Sequence, residues 1–453
     1  MLSSWTGKGT AVLLAGMMAL LSACGGTSGA ENGKNGSAPA EGGAGAKETP
    51  KEKKEPIELV FKDATFGWSA EDFMKDYGSA IQQKFPHIKV SFVPYPKPSI
   101  PEMFAAKSKI DVVISSLLMF NDNILDNKLQ YDLTPLVKST KYNLDRIEPT
   151  ALALAKQLAN GGLYGLPVAG AASAVVYNKT LFDKFGVPYP KDNMSWDDFY
   201  EVSKKMSRVE GGVRYQGSLV YPNFMLYRNP YSLSLINPNT DKADFSSPKW
   251  KEYIESMLSG YKIPNNQVEK RGQFGGQVGK DLFEKDQVVA MYLNASGTGI
   301  RELSFKNMDY DFTQVPTFKD APGLGLQPYP LYFYISAASE LKEQAFEVLA
   351  YLTSDEFQME NSKKGILTAL NNKDIQMAFA QNYPEFKGKN IKAILPAKFA
   401  PPAYRSKYDG IARGDLEQAF ISAAMGEKDL NTAMREAEES ANKKIEQVKS
   451  QMK

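Results

Sequence analysis

The 453-residue chain has one cysteine, Cys24, and one histidine, His87. A single thiol allows no internal disulfide and no Cys-based metal site. A Ser–His triad would have to use His87, which follows Pro86 beside a strand-like run. Neither a Gly-x-Ser-x-Gly elbow nor a His-Glu-x-x-His pair accompanies it, so it reads as a surface histidine. An excess of one charge is also missing. Lys and Arg number 54 against 52 Asp and Glu, the signs are interspersed, and no basic block marks a nucleic-acid partner. Beyond the N-terminal stretch, no apolar run is long enough to span a bilayer. The glycine-rich Gly272-Gln273-Phe274-Gly275-Gly276-Gln277-Val278-Gly279-Lys280 fails the phosphate-loop spacing, and Asp281 replaces its Ser/Thr. It reads as a mobile loop. No cofactor and no metal-ligand set is expected. A glycoside hydrolase, which needs only two carboxylates, is the one enzyme class left open.

The N-terminus supplies an address. Lys8 precedes the apolar run 11–21, too short to cross a membrane and of signal-peptide proportions. Leu21-Ser22-Ala23-Cys24-Gly25 then resembles the lipobox of bacterial lipoproteins. The resemblance implies removal of residues 1–23, acylation of Cys24 and a lipid anchor on the outer face of the cell membrane. Residues 25–56 contain no aromatic and no Val, Ile, Leu or Met. Such a segment cannot bury enough apolar surface to offset its ordering entropy, and it reads as a flexible tether spanning roughly 30 Å.

Order should begin at Ile57. Residues 57–61 alternate like a first strand, 70–84 place Phe73, Tyr77 and Ile81 at helical spacing, and 87–93 read as a second strand. The continuous apolar run 110–114 is that of a buried parallel strand. Later come strand-like 174–177, a helix over 196–206 with Ser195 as N-cap and Asp197 and Asp198 in its first turn, and a strand over 288–292. Helices follow over 341–353 and about 429–449, the last with a stripe of Leu430, Met434, Ala437, Ala441 and Ile445 that should dock on a lobe. The alternation argues for α/β layers.

Several passages in this order resemble a known family. They are Gly162-Leu163-Tyr164-Gly165-Leu166-Pro167, then Val176-Tyr177-Asn178-Lys179, then Leu181-Phe182-Asp183-Lys184-Phe185-Gly186-Val187-Pro188, then Ser195-Trp196-Asp197-Asp198-Phe199. Leu282-Phe283-Glu284-Lys285-Asp286 before Val289-Ala290-Met291, then Val315-Pro316-Thr317, and then Ile335-Ser336-Ala337-Ala338-Ser339 complete the set. Together they are similar to the extracellular solute-binding proteins of ABC importers, the maltodextrin-binding-like group. The resemblance implies an α/β, two-lobed periplasmic-binding-protein-like (type II) fold with an interlobe cleft and crossover hinge strands. Crossings would lie near 168–172, 329–332 and 366–369. One lobe would hold 57–168 and about 316–365, the other 169–315 and about 366–453, with the C-terminal helices on either. Partners would be a small-molecule solute, foremost a carbohydrate, and the importer's permease, with the chain itself a monomer.

Ligand residues should lie in loops at strand ends. Phe66 and Trp68 offer flat faces for a sugar ring, and Ser69 a hydroxyl; Ser115 and Ser116 follow the 110–114 run. In the second lobe Tyr221 and Phe224 occupy a position where relatives often carry a stacking aromatic. Asn294 and Ser296 stand where relatives often carry a tryptophan. Tyr329 and Tyr332 cluster at a crossing, and Tyr408 and Arg413 open a late helix. The crossing Ala169-Gly170-Ala171-Ala172 lacks the acidic residue of maltodextrin binders. That departure turns the expectation toward other oligosaccharides or modified sugars, with peptides, polyamines or a sensing or adhesion role as alternatives.

Overall fold

The computed structural model describes residues 55–297 and 304–451; Cys24, the signal stretch and the tether through residue 54 lie outside them. Residues 54–453 form one compact unit containing two five-stranded sheets. The first sheet is built from β1 (Ile57–Asp63), β2 (Ile88–Val93), β3 (Val112–Ser115), β4 (Gly165–Ala169) and, much later, β12 (Leu331–Ile335). Its order is β2-β1-β3-β12-β4. The second contains β5 (Ala172–Asn178), β6 (Arg208–Glu210), β7 (Val213–Val220), β10 (Val289–Gly297) and β11 (Tyr310–Thr313), in the order β11-β5-β10-β7-β6. A small ribbon, β8 (Ile236–Asn237) with β9 (Lys242–Ala243), completes the strands.

Each sheet is mixed. β1 runs parallel to β2 and β3, and β10 parallel to β7. The strands that enter a lobe from the other one run the opposite way: β12 is antiparallel to β3 and β4, and β5 to β10 and β11. Apolar residues separate into two cores to match. Leu59, Phe61, Phe73, Val113, Phe333 and Phe346 fill the first, and Val176, Phe182, Trp196, Phe199, Trp250 and Met291 the second. This is a two-lobed α/β architecture. Helices Asp409–Ala424 and Leu430–Gln451 pack together on the second lobe, where Glu438 accepts from the Phe245 amide and Asn442 from that of Ala243.

Helix 196–206 forms as read: Ser195 and Asp198 make a reciprocal capping box, and Trp196 is buried in the second core. The helical stretch over 70–84 forms too, with a π-turn, Met74–Gly78, between Ala70–Phe73 and Ser79–Lys84. That wider turn keeps Phe73 and Tyr77 buried on one side, 5.9 Å apart, and Met74 folds over Gly78. The glycine-rich stretch is not a mobile loop. It forms a 3₁₀ turn, Arg271–Phe274, and a helix, Gly276–Glu284. Phe274 fixes it by burial against Tyr261 and Phe420.

The first chain crossing falls between β4 and β5. Gly170 is required there: a Cβ would sit 2.7 Å from the Thr368 carbonyl oxygen, and the Gly170 amide donates to Leu367. Gln358 holds the two strands of chain together, donating to the Val168 carbonyl and accepting from the Thr368 hydroxyl and the Ala369 amide. Hinges of this kind confine rotation to a few residues while the lobes stay rigid.

Candidate ligand-binding cleft

In the first lobe, two loops at the carboxyl ends of strands face the junction. The loop after β1 is built on Asp63, whose buried carboxylate accepts from the amides of Thr65, Phe66 and Trp68 at 2.8–3.0 Å. Asp63 therefore fixes where Phe66 and Trp68 stand. Trp68 is the middle ring of a three-ring stack, 5.2 Å from Phe66 and 5.7 Å from Tyr77. Its faces serve the lobe, and half-buried Phe66 is the outer member. Ser69 caps the following helix, accepting from the Asp72 amide and donating to the Asp72 carboxylate. Ser115 and Ser116 are both buried. Asn123 donates to the Ser115 hydroxyl and the Ala64 carbonyl, and Thr65 accepts from the Ser116 amide, so the two loops form one rigid wall.

The second lobe presents a different surface. Tyr221 and Phe224 contact each other at 5.9 Å, and Phe224 meets Tyr329 edge-on at 5.4 Å. Asn223 accepts from Arg413 and donates to Glu417, one turn apart on helix Asp409–Ala424. Burial raises the Tyr221 phenol, with the negative charge of Glu417 adding to it and Arg413 opposing. The same helix carries Gly410 and Gly414, and a Cβ at either would meet nothing within 4 Å. Mid-helix glycine costs about 1 kcal/mol against alanine. The two glycines leave bare backbone beside Arg413.

The lobes meet at Tyr329 and Asn121. The Tyr329 phenol hydrogen-bonds with Ser116 and the Leu118 backbone, and Asn121 donates to the Ser406 carbonyl at 3.4 Å. Next to these contacts is a cavity of about 350 Å³. Leu117, Leu118, Asn121 and Asp122 line it from the first lobe, and Tyr227, Arg405, Ser406, Tyr408 and Asp409 from the second. Ligand sites are typically roughly 300–1,000 Å³, with a few convergent polar groups on an otherwise apolar lining. Burial pushes Asp409 up to about 6, against the opposing pull of Arg405, whose guanidinium is 3.8 Å away. Burial also raises Asp122, with Asp126 adding repulsion.

Behind this surface, Arg228 is fully buried and binds the Gln327 carbonyl and the Ser173 hydroxyl, while Gln327 accepts from Arg405. One buried network therefore joins both crossings to the cavity wall.

Of the sequence candidates, Ser116, Tyr221, Phe224, Tyr329, Tyr408 and Arg413 lie around the lobe junction, whereas the contacts of Phe66 are all within the first lobe. Tyr332 does not. It is buried in the first core with its phenol donating to the Ala151 carbonyl, because an inward position of a central strand faces the core. Asn294 and Ser296 end β10 beside β5, and their side chains lie outside the described ones. Sequence reasoning missed Asn223, Arg405, Asp409 and Glu417. The spacing of Gly410, Arg413, Gly414 and Glu417 on one helical face was the available signal.

Two lobes, crossing strands and a lined cavity between them define a solute-capturing protein. The chain belongs to the bacterial extracellular solute-binding protein family, whose profile matches residues 67–359. A binding protein of Brucella abortus is 25% identical over 259 residues, 55% of this chain, and the chain spans 60% of that relative's length. The arabinooligosaccharide-binding protein of Bacillus subtilis is 27% identical over 155 residues, 32% of this chain and 34% of its own. Among solved structures, an ABC substrate-binding protein from Listeria monocytogenes in complex with cycloalternan superposes with TM-score 0.69 at 19% identity, covering 86% of this chain and 99% of that one. The sugar-binding protein MalE from Xanthomonas citri gives 0.65 at 14% identity, covering 87% and 99%. Among the described residues no helix is long and apolar enough to cross a membrane.

Proposed function

We propose that this chain captures a carbohydrate between its lobes and delivers it to the permease of an ABC importer. The observation that carries the reading is the cavity of about 350 Å³ lined by both lobes, with Tyr227 and Tyr408 beside Asn121, Asp122 and Arg405. Flat rings beside paired donors and acceptors match the two kinds of surface a sugar presents. Further support comes from the relatives, which include an arabinooligosaccharide binder and a protein crystallised with cycloalternan. The crossing carries no acidic residue, and the polar groups that line the cavity are Asn121, Asp122, Arg405 and Asp409 instead. This favours an oligosaccharide other than maltodextrin. Ligand would stabilise the closed arrangement by touching both walls, and the permease would read that arrangement.

Thermal unfolding of residues 57–453 against oligosaccharides, monosaccharides, peptides and polyamines tests the reading. At about 100 times its dissociation constant a true ligand adds roughly 2.7 kcal/mol to the folded state. A shift with one oligosaccharide class supports the proposal, and a shift with peptides or polyamines alone removes the sugar. We also propose that Cys24 is acylated after cleavage at Ala23. A Cys24→Ala chain then loses its lipid mass and leaves the membrane fraction; retention there would overturn the anchor.

A further inference from the structure

A second hollow is separate from the cleft. Segment 373–395 lines all of it, and its volume is about 1120 Å³. Met377, Phe379, Tyr383, Phe386, Ile391 and Leu395 supply apolar surface, and Met377 is 54% exposed. The segment's four lysines, Lys373, Lys387, Lys389 and Lys392, all line the hollow, whereas its two acids, Asp374 and Glu385, do not. Lys389 is engaged with the Tyr310 carbonyl at 2.6 Å. Lys373, Lys387 and Lys392 form no ion pair among the described residues.

The segment that lines the hollow is anchored in both lobes. At one end Ile375 and Ala380 are hydrogen-bonded to Ser362, on the helix Asp355–Lys363 whose Gln358 holds β4 of the first sheet. At the other end the Asn390 amide donates to Asp311, and Phe386 stacks on Phe312 at 6.2 Å, both partners on β11 of the second sheet. Repacking within either lobe cannot close a hollow anchored in this way.

We propose that this hollow is a second ligand site, for an anionic amphiphile: an aliphatic chain on the apolar floor with its acidic head among Lys373, Lys387 and Lys392. Apolar burial supplies the affinity, and the one-signed rim selects the head. The test uses the full chain carrying Cys24→Ala, so that no acyl group competes, titrated calorimetrically with dodecyl phosphate below its micelle concentration. One saturable site per chain is expected, with dodecyltrimethylammonium, a cation on the same tail, binding at least tenfold more weakly. The double substitution Lys387→Glu/Lys392→Glu and, separately, Met377→Asp should each lower dodecyl phosphate affinity at least tenfold. All three side chains are exposed, so the melting temperature should stay unchanged. Absence of saturable binding, equal binding of the cation, or unchanged affinity in both variants would overturn the proposal.

Discussion

The two walls of the cleft are built in different ways. The first-lobe wall is preorganised from below: one buried carboxylate, Asp63, holds the loop amides of Thr65, Phe66 and Trp68, and Asn123 ties that loop to Ser115. Its outer ring is the half-buried Phe66. The second-lobe wall is a charged layer: Arg405 and Asp409 line the cavity, Asn223, Arg413 and Glu417 form a bonded group on helix Asp409–Ala424 and its neighbour, and buried Arg228 lies behind. The contrast teaches that the first wall is held by a hydrogen-bonded loop and the second by charged side chains, and we propose that the first positions a sugar ring while the second chooses among polar patterns.

The largest expected effect breaks the first wall. Asp63→Ala leaves the Thr65, Phe66 and Trp68 amides without their acceptor. A lost hydrogen bond to a charged group costs about 1.5–3 kcal/mol. With partial rescue by water, we expect about 3–4 kcal/mol lost in urea unfolding, together with loss of ligand binding. A loss below about 1 kcal/mol would show that the loop does not depend on Asp63.

Next in size is a pH effect from the second wall. Asp409 rises from an ordinary 3.8 to about 6 in the folded chain, chiefly through burial. At about 1.4 kcal/mol per tenfold change in proton affinity, this corresponds to roughly 3 kcal/mol. The folded state holds the proton more tightly than the unfolded one, so the contribution is fully present below about 3.8 and is lost as pH rises through about 6. Asp409→Asn should flatten that fall between pH 4 and 6.5 and raise stability at pH 7. An unchanged pH profile would mean that Arg405 keeps the carboxylate ionised throughout.

The walls also differ in how far the sequence revealed them. The 110–114 run, the Ser195 cap and the strand-end position of Phe66 are local patterns, and the structure contains each of them. The Asn223–Arg413–Glu417 group is not local. Its members lie 190 and 194 positions apart in sequence and meet only because helix Asp409–Ala424 packs against the helix Pro222–Tyr227. Periodicity could place Arg413 on a helix, but it could not supply a partner. Nor could it reveal that Tyr77 would occupy Trp68, because the π-turn that places Tyr77 has no local signature.

That stack gives a finer comparison within the first wall. Trp68→Ala removes the ring between Phe66 and Tyr77 and should cost about 2 kcal/mol of stability, the half-buried share of a core tryptophan. Phe66→Ala removes the outer ring, costing about 1 kcal/mol of stability but roughly tenfold in ligand affinity. If Trp68→Ala weakens binding while leaving unfolding unchanged, the indole rather than Phe66 is the platform.

The smallest effect on stability, and the sharpest on selectivity, lies at Arg413. Its partner Asn223 is buried but keeps its bond to Glu417, so Arg413→Met should cost about 1 kcal/mol of stability, the worth of one hydrogen bond. Losing the donor also frees Asn223 and leaves Glu417 as the dominant charge beside Tyr221. Affinity for the cognate solute should then fall about tenfold, while relatives differing only at the ring stacked on Phe66 fall in proportion. A drop shared equally by every solute would mean that Arg413 supports the wall without reading the ligand, and choice among sugars would pass to Tyr221 and Phe224.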